Sequence, residues 1–153
     1  MMSDIDLKRF ITESNAIEGI RRSPTKAEVA ALRDFLALPA IRLGDLLGLL
    51  GVFQPDAVLR NKPGLNVTVG GYRPMWGGPL VEQQLRNLLW RASEGSRRGT
   101  NPYQTHCEYE KLHPFTDGNG RTGRALWLWM MKGEAPLGFL HTFYYQALDA
   151  FRS

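Results

Sequence analysis

Cysteine is almost missing from this chain: Cys107 is the only one in 153 residues. That excludes an internal disulfide and a zinc cluster built from cysteines. It fits a reducing compartment, and a cytoplasmic location is expected. Long apolar runs are missing too. The richest windows contain charges or glycines, so none can span a bilayer and no membrane partner is expected. Residues 1–15 alternate charged and apolar character and do not read as a signal peptide. No internal repeat and no low-complexity tract is present. Lys and Arg exceed Asp and Glu by 19 to 15, a net charge of +4. The arginines are scattered, however, and no basic stripe with interleaved aromatics stands out, so direct nucleic-acid binding is not expected. No Gly-Lys-Ser/Thr follows a glycine loop, which removes a P-loop. What is left, 43% hydrophobic and 22% charged, is ordinary for one globular domain with a real core.

Chemistry concentrates in Leu112–Arg124, which reads Leu-His-Pro-Phe-Thr-Asp-Gly-Asn-Gly-Arg-Thr-Gly-Arg. The apolar run Ala125–Met131 follows and predicts a central, buried helix. The stretch before it is then a tight loop entering that helix's N-terminus. Unpaired N–H groups and the positive dipole end make such a terminus an anion site. Arg121 and Arg124 share one helical face, and two cations in a first turn are disfavoured unless an anion joins them. The expectation from these residues is a polyphosphate site with His113 as base and Asp117 as a ligand for magnesium. Gly118, Gly120 and Gly123 satisfy the dinucleotide spacing G-x-G-x-x-G, but Pro114 lies just upstream and no parallel βαβ pattern exists, so that reading is rejected.

The rest of the chain reads as mainly helical. Apolar positions predict helices over Ile5–Ile20, closed by Gly19, and from about Thr25, where Thr25-Lys26-Ala27-Glu28 has capping-box spacing. Ile41–Val52 is leucine-rich and helical in character, although Gly44, Gly48 and Gly51 oppose it. Pro55–Pro63 is connecting chain. Leu65–Pro79 alternates, uses β-branched residues and carries Gly70-Gly71 as a turn, which predicts a small hairpin. Its exposed edge could bind an extended peptide or be a structural cover. Leu80–Ser93 is a helix and Glu94–Thr100 a loop. Asn101-Pro102 caps a short helix over Tyr103–Lys111. Gly133–Gly138 is a loop and Phe139–Phe151 a closing helix. Ser14 and Glu18 lie four apart on one face; alone, Glu18 reads as a solvated carboxylate. His106 and His141 have no chemical company and read as structural. Trp90, Trp127 and Trp129 read as core. Trp76 competes for adenine or target contact, and Tyr144 and Tyr145 either line a base pocket or pack.

Taken whole, Leu112–Arg124 resembles the core motif of Fic-domain proteins, His-Pro-Phe-x-(Asp/Glu)-Gly-Asn-Gly-Arg-x-x-Arg. His113, Pro114, Phe115, Asp117, Gly118, Asn119, Gly120, Arg121 and Arg124 all match. His106–His113 is similar to the family's lead-in helix, with Tyr109 where Phe is usual. Val67–Pro74 with Gly77-Gly78-Pro79 is similar to its flap. Ser14-Asn-Ala-Ile-Glu18-Gly19 is similar to its inhibitory motif, Ser/Thr-x-x-x-Glu-Gly/Asn. The resemblance implies a single domain over 1–153, a compact helical bundle with a small β-hairpin flap over the active site. Within it, residues 4–20 form the inhibitory helix, 65–79 the flap and 112–124 the catalytic loop and helix start.

It implies transfer of AMP from ATP, with Mg2+, to a Ser, Thr or Tyr hydroxyl of a target protein; self-modification is left open. His113, Asn119 and Arg121 would be catalytic. Gly118, Asn119, Gly120, Arg121 and Arg124 would hold the nucleotide, and Asp117 the metal. Val67, Thr68, Val69, Gly70 and Gly71 would dock the target. Phe115 would anchor the loop in the core. Glu18 would pair with Arg124, with Ser14 assisting, and hold the domain inhibited. Removal of AMP using Glu18, or a silent peptide-binding module, are the alternatives. A phosphate-transferring branch replaces Gly-Asn-Gly with a bulkier loop, and the intact Gly118-Asn119-Gly120 argues against it.

Overall fold

A computed structural model describes residues 2–98 and 101–132. Its described residues form six helices. Helix α1 (Asp4–Ile17) begins at a capping box, in which Ser3 and Asp6 exchange side-chain and backbone hydrogen bonds. It ends at Glu18, the C-cap, followed by Gly19 in the left-handed region at φ 76°. The glycine stop was legible in the sequence. Helix α2 (Lys26–Leu36) has the expected box: Thr25 Oγ1 accepts from Glu28 N–H at 3.0 Å, and Glu28 Oε1 accepts from Thr25 N–H at 2.8 Å.

Helix α3 (Leu43–Phe53) buries Leu43, Leu46, Leu49 and Leu50. Gly44, Gly48 and Gly51 are all exposed. They fall on the face opposite the leucines, so they lower propensity by about 1 kcal/mol each without interrupting the packing that holds the helix. Helix α4 (Pro79–Arg98) runs five residues past Ser93. The expected loop at Glu94 is therefore corrected, since no proline stops the helix there. Helix α5 (Pro102–Leu112) starts at Asn101, whose Oδ1 accepts from Tyr103 and Gln104 N–H. Helix α6 (Asn119–Met130) begins two residues before and ends two residues before the helix expected over Arg121–Lys132.

Helix α6 touches each of the other five helices, which is the central placement its apolar sequence predicts. Leu126 and Leu128 are fully buried within one continuous core that also takes Leu7, Phe10, Leu32, Leu46, Leu85 and Tyr109. The indole N–H of Trp129 donates to Leu38 O at 2.8 Å, fastening the end of α6 to the α2–α3 connection. Trp90 is 51% exposed and is not the core residue it was expected to be; it lies on the outer face of α4, beyond the stripe of Val81, Leu85, Leu88, Leu89 and Ala92.

The expected hairpin over Leu65–Pro79 shrinks to one bridged pair. Val69 and Tyr72 exchange N–H···O bonds at 3.0 Å around Gly70-Gly71, and the legs on either side carry no further ladder. The connecting chain before it, by contrast, pairs with the segment after α5. Leu59 bridges Phe115 antiparallel, Arg60 N–H donates to Pro114 O, and Thr116 N–H donates to Val58 O. Among the described residues no helix is long and apolar enough to cross a membrane. The loop expected at Gly133–Gly138, the helix at Phe139–Phe151, and His141, Tyr144 and Tyr145 lie outside the described residues.

Candidate active site

His113 is the C-cap of α5. Its backbone sits in the left-handed region (φ 51°, ψ 63°), and its N–H closes the last turn on Tyr109 O at 2.9 Å. Pro114 cannot extend the helix, so the chain leaves into the loop at once. Phe115 is fully buried and is clamped from the side by Asn119, whose Oδ1 accepts from Phe115 N–H at 2.9 Å and whose Nδ2 donates to Phe115 O at 2.8 Å. The Asn119 side chain is thus spent on loop shape, and what this stretch offers an anion is its backbone. Gly118 is the N-cap of α6 at φ 77°, pressed against Leu50 and Gln54 of the α3 end. A side chain there would be both strained and obstructed. Thr122 Oγ1 donates back to Gly118 O at 2.9 Å and is itself bonded to the Tyr109 hydroxyl at 2.7 Å, joining α5 to α6 under the loop. Burial pushes the Tyr109 phenol well above its ordinary value.

The two arginines are buried and go different ways. Arg121 donates to Gln54 Oε1 and lies over the Phe53 ring at 5.8 Å. Burial lowers its pKa, and the nearby carboxylates of Glu18, Glu28 and Asp117 oppose that shift. Arg124, only 1% exposed, turns to α1: Nε donates to Ser14 Oγ at 2.7 Å, and Nη2 donates to Ser14 O at 3.0 Å and to Glu18 Oε1 at 2.8 Å. That Glu18 oxygen lies over Gly120, where an added Cβ would collide with it.

One cavity of about 390 Å3 gathers these parts: Val67–Val69 of the flap, His113, Thr116–Gly120 of the loop, and Glu18. Gly70 and Gly71 lie beyond it at the turn, and Arg121 and Arg124 sit behind its wall rather than in it. Trp76 is 77% exposed and does not line it. Asp117 is exposed at the mouth, with Oδ1 accepting from Gly118 N–H at 2.8 Å. No group of three or more His, Cys, Asp or Glu that could hold a metal occurs among the described residues. A lone carboxylate suits magnesium arriving with its waters and phosphates, not a resident all-protein cage.

Sequence reasoning missed three side chains that shape the site. Gln54 and Phe53 hold Arg121, and Arg60, fully buried, reaches the His113 carbonyl from the paired segment 58–60. An arginine after Val58-Leu59 carries no spacing signal of its own, and Gln54 reads as an ordinary helix end.

A loop-borne imidazole and a glycine-capped helix N-terminus thus share one cavity on a helical bundle. A sequence model of the Fic/DOC family matches residues 101–131, which span α5, the loop and α6. Over those residues the chain is similar to the Fic/DOC family.

Proposed function

We propose that the protein is an adenylyltransferase that moves AMP from ATP to a Ser, Thr or Tyr hydroxyl of a target protein, and that α1 holds it inhibited. The observation that carries this reading is the shared cavity, in which His113, the backbone of Gly118–Gly120 and the flap face one another. In the reaction His113 takes the hydroxyl proton, the oxygen attacks the α-phosphorus, and the bond to the β-phosphate oxygen breaks to release pyrophosphate. Backbone N–H groups at the α6 N-terminus meet charge developing on the α-phosphate. Arg121 and Arg124 are the cations for the outer phosphates. Asp117 would hold a magnesium ion, which would supply further charge neutralisation. Among the described residues Val67 and Thr68 make no main-chain hydrogen bond, which leaves an edge that an extended target segment can pair with.

Inhibition follows from charge. A phosphate oxygen brought within about 4 Å of the Glu18 carboxylate meets roughly 4 kcal/mol of repulsion at an effective dielectric of 20. Arg124, its natural counter-charge, is already engaged. Incubation with labelled ATP and magnesium tests this: Glu18→Gly is expected to raise incorporation of AMP at least tenfold over the parent, and Glu18→Gly with His113→Ala to abolish it. Equal incorporation by parent and Glu18→Gly would remove the inhibitory role. A second reading has its own observation, since Glu18 lines the same cavity as His113 and its carboxylate could orient a water against a modified hydroxyl. Loss of AMP from a pre-modified protein, dependent on Glu18, would mark that direction.

A further inference from the structure

Arg60 has a buried charge but no carboxylate to match it among the described residues. Its side-chain hydrogen bonds among the described residues go to backbone carbonyls. Nε donates to His113 O at 2.7 Å, Nη2 to Leu112 O at 3.0 Å, and Nη1 to Met75 O at 2.9 Å and Leu65 O at 3.2 Å. Leu112 and His113 end α5, while Leu65 and Met75 belong to the two legs of the flap. Its own backbone continues the pattern, with Arg60 N–H on Pro114 O and Gly78 N–H on Arg60 O. Tyr72, beside the flap turn, adds one more tie: its hydroxyl donates to Lys111 O at 2.7 Å. Three consecutive carbonyls, 111 to 113, are therefore capped from the flap side. The last carbonyls of a helix have no partner within it and sit at its negative end, so a guanidinium and a phenol are apt caps. Burial pushes the Arg60 pKa down, yet the fork needs its full set of donors to reach three separate segments.

We infer that Arg60 and Tyr72 are positioning residues that lock the flap to the C-terminus of α5, so that the flap edge and His113 behave as one rigid unit. The register of a bound target segment is then fixed against the base by backbone contacts, whatever the target's side chains. The consequence for catalysis rests on the transfer reaction proposed above; the mechanical tie does not.

Two measurements separate them. Amide hydrogen exchange on the unmodified protein reads the tie alone. Tyr72→Phe is expected to speed exchange of the Val69 and Tyr72 amides about fivefold, the effect of one lost hydrogen bond, while the amides of α1 to α3 stay within twofold of the parent. An unchanged flap, or an acceleration spread evenly over all helices, overturns the inference. In the Glu18→Gly background, incorporation of labelled AMP into the chain itself reads the consequence. Tyr72→Phe is expected to lower kcat about tenfold with KM for ATP within twofold, and Arg60→Lys to retain more activity than Arg60→Met. A rate that is unchanged, or a KM that moves in step with kcat, overturns the positioning role. If Glu18→Gly modifies neither itself nor any protein of a cell lysate, the proposed reaction fails while the exchange data still decide the tie.

Discussion

At the scale of single residues, Asn119 shows how a motif can mislead about role. Its place between two glycines suggests a side-chain donor to phosphate, yet the amide is buried and spans the backbone of Phe115 at both N–H and C=O. Asn119→Ala would leave two buried polar groups without partners, at about 1–3 kcal/mol each. The expected result is a loss of about 2–6 kcal/mol in stability, read as a lower denaturant midpoint with little change in slope. Inactivity of that variant would then report loop collapse and not a missing electrophile. The sequence supplied the identity of this residue and the fact of a sharp loop. It could not reveal the direction of the amide, because that depends on Phe115 being pinned by Leu59, which is distant in sequence.

At the scale of elements, the parts with local causes were legible. The capping box of α2, the proline start of α5 and the glycine stop of α1 each follow from residues within one turn of the boundary. The α2 box carries a further charge. Glu28 is 2% exposed at its side chain and pairs with Arg22 at 2.8 Å. Burial raises its pKa, but bonds from Arg22 and from Thr25 outweigh this and bring it below the ordinary 4.5. A carboxyl depressed in the folded state stabilises above its unfolded value, and that contribution is lost as pH falls through the folded value. The parent should therefore lose stability steeply below about pH 4.5. Glu28→Gln should be less stable near neutrality and should show a shallower acid limb in thermal melts between pH 3 and 5. What was not legible at this scale was the pairing of segments 58–60 and 114–116. Both are short and contain proline or glycine nearby, and neither shows alternation long enough to announce a strand.

At the scale of the whole molecule, the first helix and the last described one are joined through the site rather than around it. Ser14 and Glu18 reach a guanidinium more than a hundred positions away. Glu18 holds Nη2 of Arg124; under the proposed inhibition a phosphate would compete for that guanidinium, and binding of one would weaken the other by the same factor. The spacing of Ser14 and Glu18 placed them on one helical face. That this face would lie against α6 depends on the packing of Leu7, Phe10 and Ile11 into a common core, which periodicity alone does not orient.

The left-handed backbone of His113 has a thermodynamic corollary. A non-glycine residue in that region is held there against a penalty of about 1–2 kcal/mol, and here the residue so held is the proposed base. Selection for chemistry and selection for durability then pull one position in opposite directions. His113→Gly, which frees the backbone and deletes the imidazole, is expected to be inert yet to melt about 2–4 °C above the parent. By differential scanning calorimetry, a lower melting temperature would show that the imidazole's own packing outweighs the relief of strain.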